Sequence, residues 1–202
     1  MSSLKIDRRI VRTRRELQTA LMELILEKGY DAITVEEITE RANVGRATFY
    51  LHFHDKGELL LKSVDDIADE LKSQIGIKDD QDFNNRKPAR AILAVFRHAA
   101  EHAALYQIIL NGGAAIHVIN RYQEIVSEMA VNFFERKKAL TGQSPQISSE
   151  MLASYFAVSL IGLVVWWLKR EMPESPEEIA NTFMLLFYSG VKDMGNPIMT
   201  AI

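Results

Sequence analysis

The sequence contains 202 residues, no cysteine and a formal net charge of −3. A chain of this length can bury a substantial core as one large domain or two small ones. The absence of cysteine excludes a disulfide framework and a thiolate metal site. No hydrophobic segment follows the N-terminal charges as a secretion signal would, so the expected location is the cytoplasm.

Basic side chains are concentrated at the start of the chain, where a first helix is predicted from about Arg9 to Lys28. Six basic residues and one acidic residue (Asp7) give the first fifteen positions a charge of +5, so the remainder carries −8. A basic arm beside a DNA-binding motif is an electrostatic footprint of nucleic-acid binding, whereas a solubilising tail is the alternative. The basic residues are Lys5, Arg8, Arg9, Arg12, Arg14 and Arg15.

The stretch from Thr34 to Phe53 predicts two short helices joined by a tight turn. Thr34 and Glu37 have the spacing of a capping box, which starts the first of these helices. Asn43-Val44-Gly45 breaks the apolar pattern, and the second helix is predicted to begin near Arg46. Two such helices form a helix-turn-helix, whose second helix enters the major groove of DNA. An ordinary helical corner with a polar surface is the alternative.

The second helix carries side chains that suit DNA. Arg46 can pair with guanine or phosphate, and Thr48 can reach a base or a phosphate. Ala47 is small enough to allow close approach. Tyr50 and His52 offer hydrogen bonds to phosphate oxygens. These residue types favour the DNA-binding interpretation over the ordinary corner.

The run from Ile33 to Leu60 resembles the DNA-binding domain of the tetracycline-repressor (TetR/AcrR) family of bacterial regulators. The match is gapless from about Arg12, and its most specific part is Gly45-Arg46-Ala47-Thr48-Phe49-Tyr50-x-His52-Phe53-x-x-Lys56. The resemblance implies phosphate contacts from Thr34 and Lys56. Beyond residue 60 it is architectural only, so it implies no particular ligand. The recognition-helix residues that it implies are Arg46, Ala47, Thr48, Tyr50 and His52.

Helical periodicity continues through the rest of the chain, without repeats or strand alternation. A fourth helix is predicted from about Lys56 to Ile75, and a polar loop follows it. Asn111-Gly112-Gly113 and Thr141–Pro145 are predicted breaks. The predicted class is therefore all-α with about nine helices. The later helices are predicted at about Pro88–Ala103, Leu105–Leu110, Ala115–Leu140 and Met151–Leu168, with a final helix that begins at a Ser175–Glu178 capping box.

The segment from Met151 to Leu168 carries no charged residue and reaches the lower limit of a membrane span, about 18 residues. Interrupting polar residues and the lack of a second span argue against membrane contact. A helix that is apolar all round can instead meet the core on one side and a partner subunit on the other. We therefore predict a homodimer through this helix and the final one. The predicted interface residues are Val164, Trp167, Phe183 and Phe187.

His98 and His102 are four residues apart on one predicted helix, with Glu101 between them. Such a pair can bind a divalent metal ion. Histidines at a surface or a pocket edge are the alternative, and the sequence assigns no metal and no cofactor. It also contains no Ser-His-Asp order, Gly-rich phosphate loop or HExxH string, so nothing indicates an enzyme.

Methionine and aromatic residues in the second half suit an adaptable apolar pocket, although aromatics at helical spacing are usually core. The candidate effector-binding residues are Phe96, His102, Tyr106, Tyr122, Met129, Tyr155 and Trp166.

Together these features predict a sequence-specific DNA-binding transcriptional regulator, with double-stranded operator DNA as its partner. We expect a repressor that a small apolar effector releases from the operator. The helix-turn-helix domain is predicted at residues 1–55, and the effector-binding and dimerisation domain at residues 56–202. The alternative is a helical dimeric interaction protein without a DNA function. Charge separation favours the regulator, because only DNA binding explains a +5 arm beside the helix-turn-helix of a chain that is otherwise acidic.

Overall fold

The computed structural model describes residues 8–75, 87–141 and 147–192. Within these ranges the backbone forms nine α-helices and no strand, which confirms the predicted class. The predicted loops at residues 76–86 and 142–145, together with Lys5 of the basic arm, lie outside the described residues. The helices are α1 (Arg8–Lys28), α2 (Val35–Arg41), α3 (Arg46–Tyr50), α4 (Lys56–Ile75), α5 (Lys87–Glu101), α6 (Ala103–Leu110), α7 (Ala115–Thr141), α8 (Ser149–Lys169) and α9 (Pro176–Lys192).

The chain divides into two compact units. The first unit comprises Met1–Asp66 together with Ala104–Val118, and the second comprises Ile67–Ala103 together with Ile119–Ile202. Helices α4 and α7 therefore each run from one unit into the other. Most of α6 and the start of α7 belong to the same unit as the N-terminal helices. A single boundary in the sequence cannot describe this division, because the chain enters the first unit twice. The two-domain division after residue 55 stays a prediction.

The core of the first unit lies along one face of α1. Leu17, Leu21 and Ile25 of this helix are completely buried, as are Ile38 of α2 and Phe49 of α3. Helix α1 packs against α2, and α2 packs against α3. Burying one such side chain contributes about 1.5–3 kcal/mol, so these five residues supply much of the stability of the unit.

The first residue of α4 fixes the connection between α1 and α2. The Lys56 ammonium group donates hydrogen bonds to three backbone carbonyls, those of Tyr30 (3.1 Å), Asp31 (3.2 Å) and Ile33 (2.8 Å). The same group lies 4.5 Å from the centroid of the Tyr30 ring, within the range of a cation–π interaction. An ammonium group has three N–H donors, and here each has a carbonyl partner. We call this arrangement the Lys56 clamp.

The turn between α6 and α7 is attached to the same connection. The backbone N–H of Gly113 donates a hydrogen bond to Asp31 Oδ2 at 2.8 Å. A Cβ atom on Gly113 would lie only 2.7 Å from Asp31 Oδ1, so any side chain there would force the two groups apart. The predicted break at Asn111-Gly112-Gly113 is confirmed, since α6 ends at Leu110 and α7 begins at Ala115.

The second unit is held together by aromatic side chains. Helix α5 packs against α8 and α9, and α8 packs against α9. Phe96 of α5 and Trp167 of α8 are completely buried and meet edge to face, with ring centroids 5.5 Å apart. A further cluster joins α7, α8 and α9 through ring centroids 5.0 to 6.5 Å apart. Its members are Phe134, Phe156, Phe183 and Phe187.

Helix α8 has one buried face and one exposed face. Leu160 and Trp167 are among its buried residues, whereas Met151, Val158 and Trp166 are exposed. In the part of the chain that the structure describes, α8 is the one helix long and apolar enough to cross a membrane by length and composition. Its inner face belongs to the core of the second unit, and its outer face is an exposed apolar surface of the kind that marks an interaction site.

Replacing Lys56 by Met should destabilise the protein, because three carbonyls lose a charged donor at once. Hydrogen bonds to charged groups contribute about 1.5–3 kcal/mol each, and exposure to water restores part of this, so we expect the free energy of unfolding to fall by about 2 kcal/mol or more. Urea unfolding measures the change.

Lys62→Met is the matched control on the same helix. The Lys62 side chain is exposed and pairs with Asp65, at 3.2 Å, across the surface. Its loss should change the free energy of unfolding by less than about 0.5 kcal/mol. Equal losses in the two variants would contradict the clamp.

Candidate nucleic-acid interface

Helix α2 begins at a complete capping box, which confirms the predicted one. The Glu37 N–H donates to Thr34 Oγ1 at 3.3 Å, and the Thr34 N–H donates to Glu37 Oε2 at 2.9 Å. The Glu37 carboxylate also accepts hydrogen bonds from Lys28 Nζ and from Thr34 Oγ1. Lys28 first, and Thr34 second, lower the pKa of Glu37 to about 2. The carboxylate is therefore charged at neutral pH, and the start of α2 is held in place.

The turn between α2 and α3 has its strained residue at Asn43. The φ angle of Asn43 is 52°, in the left-handed region that asparagine tolerates better than most residues. Gly45 has a φ of −68° and serves as the N-cap of α3, without a side-chain hydrogen bond. A Cβ atom at Gly45 would meet only Thr48 Oγ1, at 3.8 Å. Glycine is thus not required by the backbone or by packing here, and its effect is to leave the start of α3 uncovered.

Two phenylalanines anchor α3 to the core. Phe49 and Phe53 are buried, and their ring centroids are 5.8 Å apart. Tyr50, next to Phe49, points outward with 53% of its surface exposed, while its ring meets the Phe49 ring edge to face at 5.3 Å. One face of this short helix is therefore fixed inside the first unit, and the other faces solvent.

The exposed face of α3 carries three of the residues predicted to contact DNA. Arg46 and Tyr50, four residues apart, lie on the same side of the helix, and Ala47 is also exposed. Among the described residues, the Arg46 side chain has no hydrogen-bond or ion-pair partner. Thr48 and His52 are half-buried, and the His52 ring meets Phe53 at a centroid distance of 6.3 Å.

Leu51 extends this face and was not among the predicted residues. It follows the last residue of α3 and is 80% exposed, more than any other large apolar side chain in the described part of the chain. Its helical position could have indicated this exposure. Leu51 is two residues from each of the buried Phe49 and Phe53, so its side chain cannot lie on their face of the helix. An exposed leucine beside Tyr50 can make apolar contact with a thymine methyl group, which alanine and phenylalanine also contact in DNA complexes.

Lys56 and Thr34 both make hydrogen bonds within the first unit, and their contacts to phosphate stay a prediction. All three donors of Lys56 end on backbone carbonyls. The Thr34 hydroxyl hydrogen is directed at Glu37 Oε2, 2.9 Å away. Each side chain would have to break an internal hydrogen bond before it could donate to a phosphate. Both residues hold the connections on either side of α2.

The N-terminal end of α1 adds positive charge to the first unit. Arg12 pairs with Glu16 across one turn at 2.7 Å, so its charge is partly balanced. Basic side chains near a DNA-binding helix attract the phosphate backbone without reading sequence. The exposed basic residues of this end are Arg8, Arg9, Arg12, Arg14 and Arg15.

The residues predicted for an effector pocket fall in different environments. Phe96 is completely buried against Trp167. Tyr155 and Trp166 lie on the exposed face of α8, and His102 is exposed just after α5. The remaining candidates, Tyr106, Tyr122 and Met129, are half-buried.

The residues predicted for the dimer interface lie inside the protomer. Val164, Trp167, Phe183 and Phe187 are all buried within the second unit, so they offer little surface to a partner subunit. The periodicity of α8 and α9 was assigned correctly, but the face that points inward was taken for the outer one. The exposed apolar residues of the same helices are different ones, among them Val158 and Leu186.

Two family models match the chain. Residues 17–62 match the model described as bacterial regulatory proteins, tetR family. Residues 87–189 match the model TetR_C_8, described as a transcriptional regulator C-terminal region.

Helix-turn-helix regulators are among the curated proteins that are similar in sequence to this chain. YxbF of Bacillus subtilis, an uncharacterized HTH-type transcriptional regulator, is 29% identical over 183 residues, which cover 89% of this chain and 46% of YxbF. The HTH-type transcriptional regulator TcmR of Streptomyces glaucescens is 25% identical over 141 residues, which cover 70% of this chain and 61% of TcmR. The chain thus spans about half the length of these two relatives.

Solved structures share the fold. Thermus thermophilus FadR, a TetR-family transcriptional repressor in complex with lauroyl-CoA, has a TM-score of 0.64 at 18% identity, covering 88% of this chain and 94% of FadR. NalD, the secondary repressor of the MexAB-OprM multidrug efflux pump in Pseudomonas aeruginosa, has a TM-score of 0.63 at 19% identity, covering 90% of this chain and 96% of NalD. At these identities the likeness concerns the fold alone.

Proposed function

The chain belongs to the TetR family of bacterial transcriptional regulators, and from that premise we propose that it is a cytoplasmic repressor which binds double-stranded operator DNA as a homodimer. A small apolar effector then lowers its affinity for the operator. The observation that carries the proposal is the two-sided α3, on which buried Phe49 fixes a helix whose outer face presents Arg46 and Tyr50.

The DNA contacts follow from the positions of these side chains. Arg46 has no partner among the described residues, so its guanidinium group is available for a guanine edge or a phosphate. The exposed hydroxyl of Tyr50 can donate to a phosphate oxygen. Gly45 places no side chain over the start of α3, which allows the DNA backbone to approach closely. The basic end of α1 supports the same contact by attracting phosphates.

Variants of Arg46 and Tyr50 should separate base reading from phosphate positioning. The operator is first obtained by selecting bound sequences from random DNA. Arg46→Ala should relax the preference at particular base positions, at a cost of about 1–3 kcal/mol if the contact is bidentate. Tyr50→Phe should weaken binding by a similar factor on all operator variants, because a phosphate contact carries no sequence information. Fluorescence anisotropy at fixed salt measures both effects.

Arg90→Ala serves as the control, because Arg90 is an exposed cation on α5 in the second unit. It should leave operator affinity unchanged. Enrichment of no DNA sequence would instead favour the helical interaction protein without a DNA function.

The dimer is proposed to form through the outer faces of α8 and α9. On α8 the exposed apolar residues and Gly162 follow one another every three or four positions. Gly162 has no atom within 4 Å of where its Cβ would be. On α9 the exposed residues are Leu185 and Leu186. Such a surface can pair with its own copy about a two-fold axis, and the operator would then be a pseudo-palindrome. The exposed apolar residues of α8 are Met151, Tyr155, Val158 and Trp166.

Leu186→Asp should convert the dimer into a monomer and abolish tight operator binding, because it buries a charge at the centre of an apolar contact. The matched control is Leu26→Asp, which makes the same substitution at an exposed leucine of α1, outside the proposed dimer surface. Sedimentation velocity at micromolar concentration should give a dimer for the control and for the unmodified protein. A monomeric unmodified protein would contradict the proposal.

The effector is proposed to act through helices that belong to both units. Helices α4 and α7 are continuous across the division of the chain, and the turn before α7 is hydrogen-bonded to Asp31 beside the Lys56 clamp. A ligand that displaces α7 would therefore act on the connection that supports α2. Because FadR was solved with lauroyl-CoA and NalD represses an efflux pump, lipophilic molecules are the first effector class to try.

A thermal-shift screen should identify an effector among lauroyl-CoA, lipophilic aromatic compounds and lipophilic cations. Linkage requires that saturating operator DNA weaken the effector by the same factor by which the effector weakens the operator. Isothermal titration with and without operator measures this factor. An effector whose affinity is indifferent to operator would disprove allosteric release while leaving DNA binding intact.

Asp31→Ala tests the proposed route. It removes the acceptor of the Gly113 hydrogen bond. We expect the coupling factor to shrink while the effector affinity measured without DNA stays the same.

A further inference from the structure

Three potential metal ligands meet at the end of α5. His98, Glu101 and His102 occupy positions i, i+3 and i+4, which lie on one side of a helix. Each offers one ligand atom, and these atoms all lie within 4.8 Å of one another. The two imidazole rings are close, with centroids 4.5 Å apart. We propose that these three residues bind a divalent first-row transition-metal ion such as Zn²⁺.

The separation of the ligand atoms suits a metal ion after small side-chain rotations. Nitrogen and oxygen ligands lie about 2.0–2.2 Å from zinc, so neighbouring ligands in a site are roughly 3–3.5 Å apart. Glu101 and His102 are exposed, so their side chains can rotate without disturbing the core. His98 is half-buried and is the more fixed of the two histidines. Closing the site therefore requires movement of exposed groups only.

The ligand types select the class of metal. Imidazole suits zinc, copper, cobalt and nickel, whereas magnesium and calcium prefer sites made of oxygen atoms alone. Two histidines and a carboxylate are a zinc ligand set that leaves a further coordination position for water.

Binding would have a local structural consequence. His102 is the residue between the end of α5 at Glu101 and the start of α6 at Ala103. Its N–H donates to the His98 carbonyl at 3.2 Å, so the last helical turn already includes it. A metal ion joining the two side chains would cross-link this turn and raise the thermal stability of the protein. The site does not depend on the DNA-binding proposal, and it can be tested without DNA.

The test uses the untagged full-length protein after removal of metals with a chelator. Isothermal titration with ZnCl₂ should show one ion per chain. Co²⁺ as a second probe should give a visible absorption band, and Zn²⁺ should displace it. His98→Ala and His102→Ala should each weaken Zn²⁺ binding by at least about tenfold, because losing a ligand costs no less than losing the residue that orients one. Glu101→Gln should weaken it less, since an amide oxygen remains.

His54→Ala and His117→Ala are the controls, because both histidines are exposed and lie outside the cluster. They should bind Zn²⁺ as the unmodified protein does. His102→Ala guards against misfolding as an explanation, since an exposed side chain can be removed without disturbing the core. Absence of stoichiometric Zn²⁺ binding, or equal binding by the His98→Ala/His102→Ala double variant, would overturn the proposal.

Discussion

The Lys56 clamp is the interaction on which the geometry of the first unit depends. A single ammonium group satisfies three backbone carbonyls of the segment from Tyr30 to Ile33, at distances of 2.8 to 3.2 Å. That segment joins α1 to α2, so the first residue of α4 determines where the helix-turn-helix begins. The next link is Asp31, whose carboxylate holds Gly113 in the turn before α7. The end of α1, the start of α2, the first residue of α4 and the turn before α7 thus meet at one short connection. Polar side chains, those of Lys56 and Asp31, hold it together.

The helix that carries the proposed DNA contacts has only five residues and could not be stable alone. Its conformation comes from its neighbours. Phe49 and Phe53 bury their rings in the core, and the capped α2 supports the turn that precedes the helix. Because the buried rings fix the backbone, contacts made by Arg46 and Tyr50 would cost freedom of the side chains but little freedom of the backbone. Rigid presentation of a few side chains is how a small unit can read DNA with useful affinity.

The second unit combines a dry aromatic core with an apolar surface. Trp167 is packed against Phe96, and its indole N–H donates to the backbone carbonyl of Glu174 at 3.1 Å, so the polar atom of the side chain is satisfied. The adjacent Trp166 is exposed and stacks beneath the guanidinium group of Arg170 at 4.9 Å. Two neighbouring tryptophans therefore serve opposite faces of α8. A helix with this distribution is stable within one chain but leaves an outer surface that a second copy can cover.

The sequence by itself determined the helices, because helical period, capping boxes and helix breakers act over a few residues. The capping box at Thr34 and the break at Asn111-Gly112-Gly113 are of this kind. Only the tertiary structure decided which apolar side of α8 and α9 faces inward, and it placed Phe187 in the core rather than at the surface. It also showed that Lys56, for which a phosphate contact is predicted, donates to three backbone carbonyls. The physical reason is that burial and hydrogen-bond partners are set by residues distant in sequence: the carbonyls that occupy Lys56 lie 23 to 26 positions away. A local pattern contains no information about them.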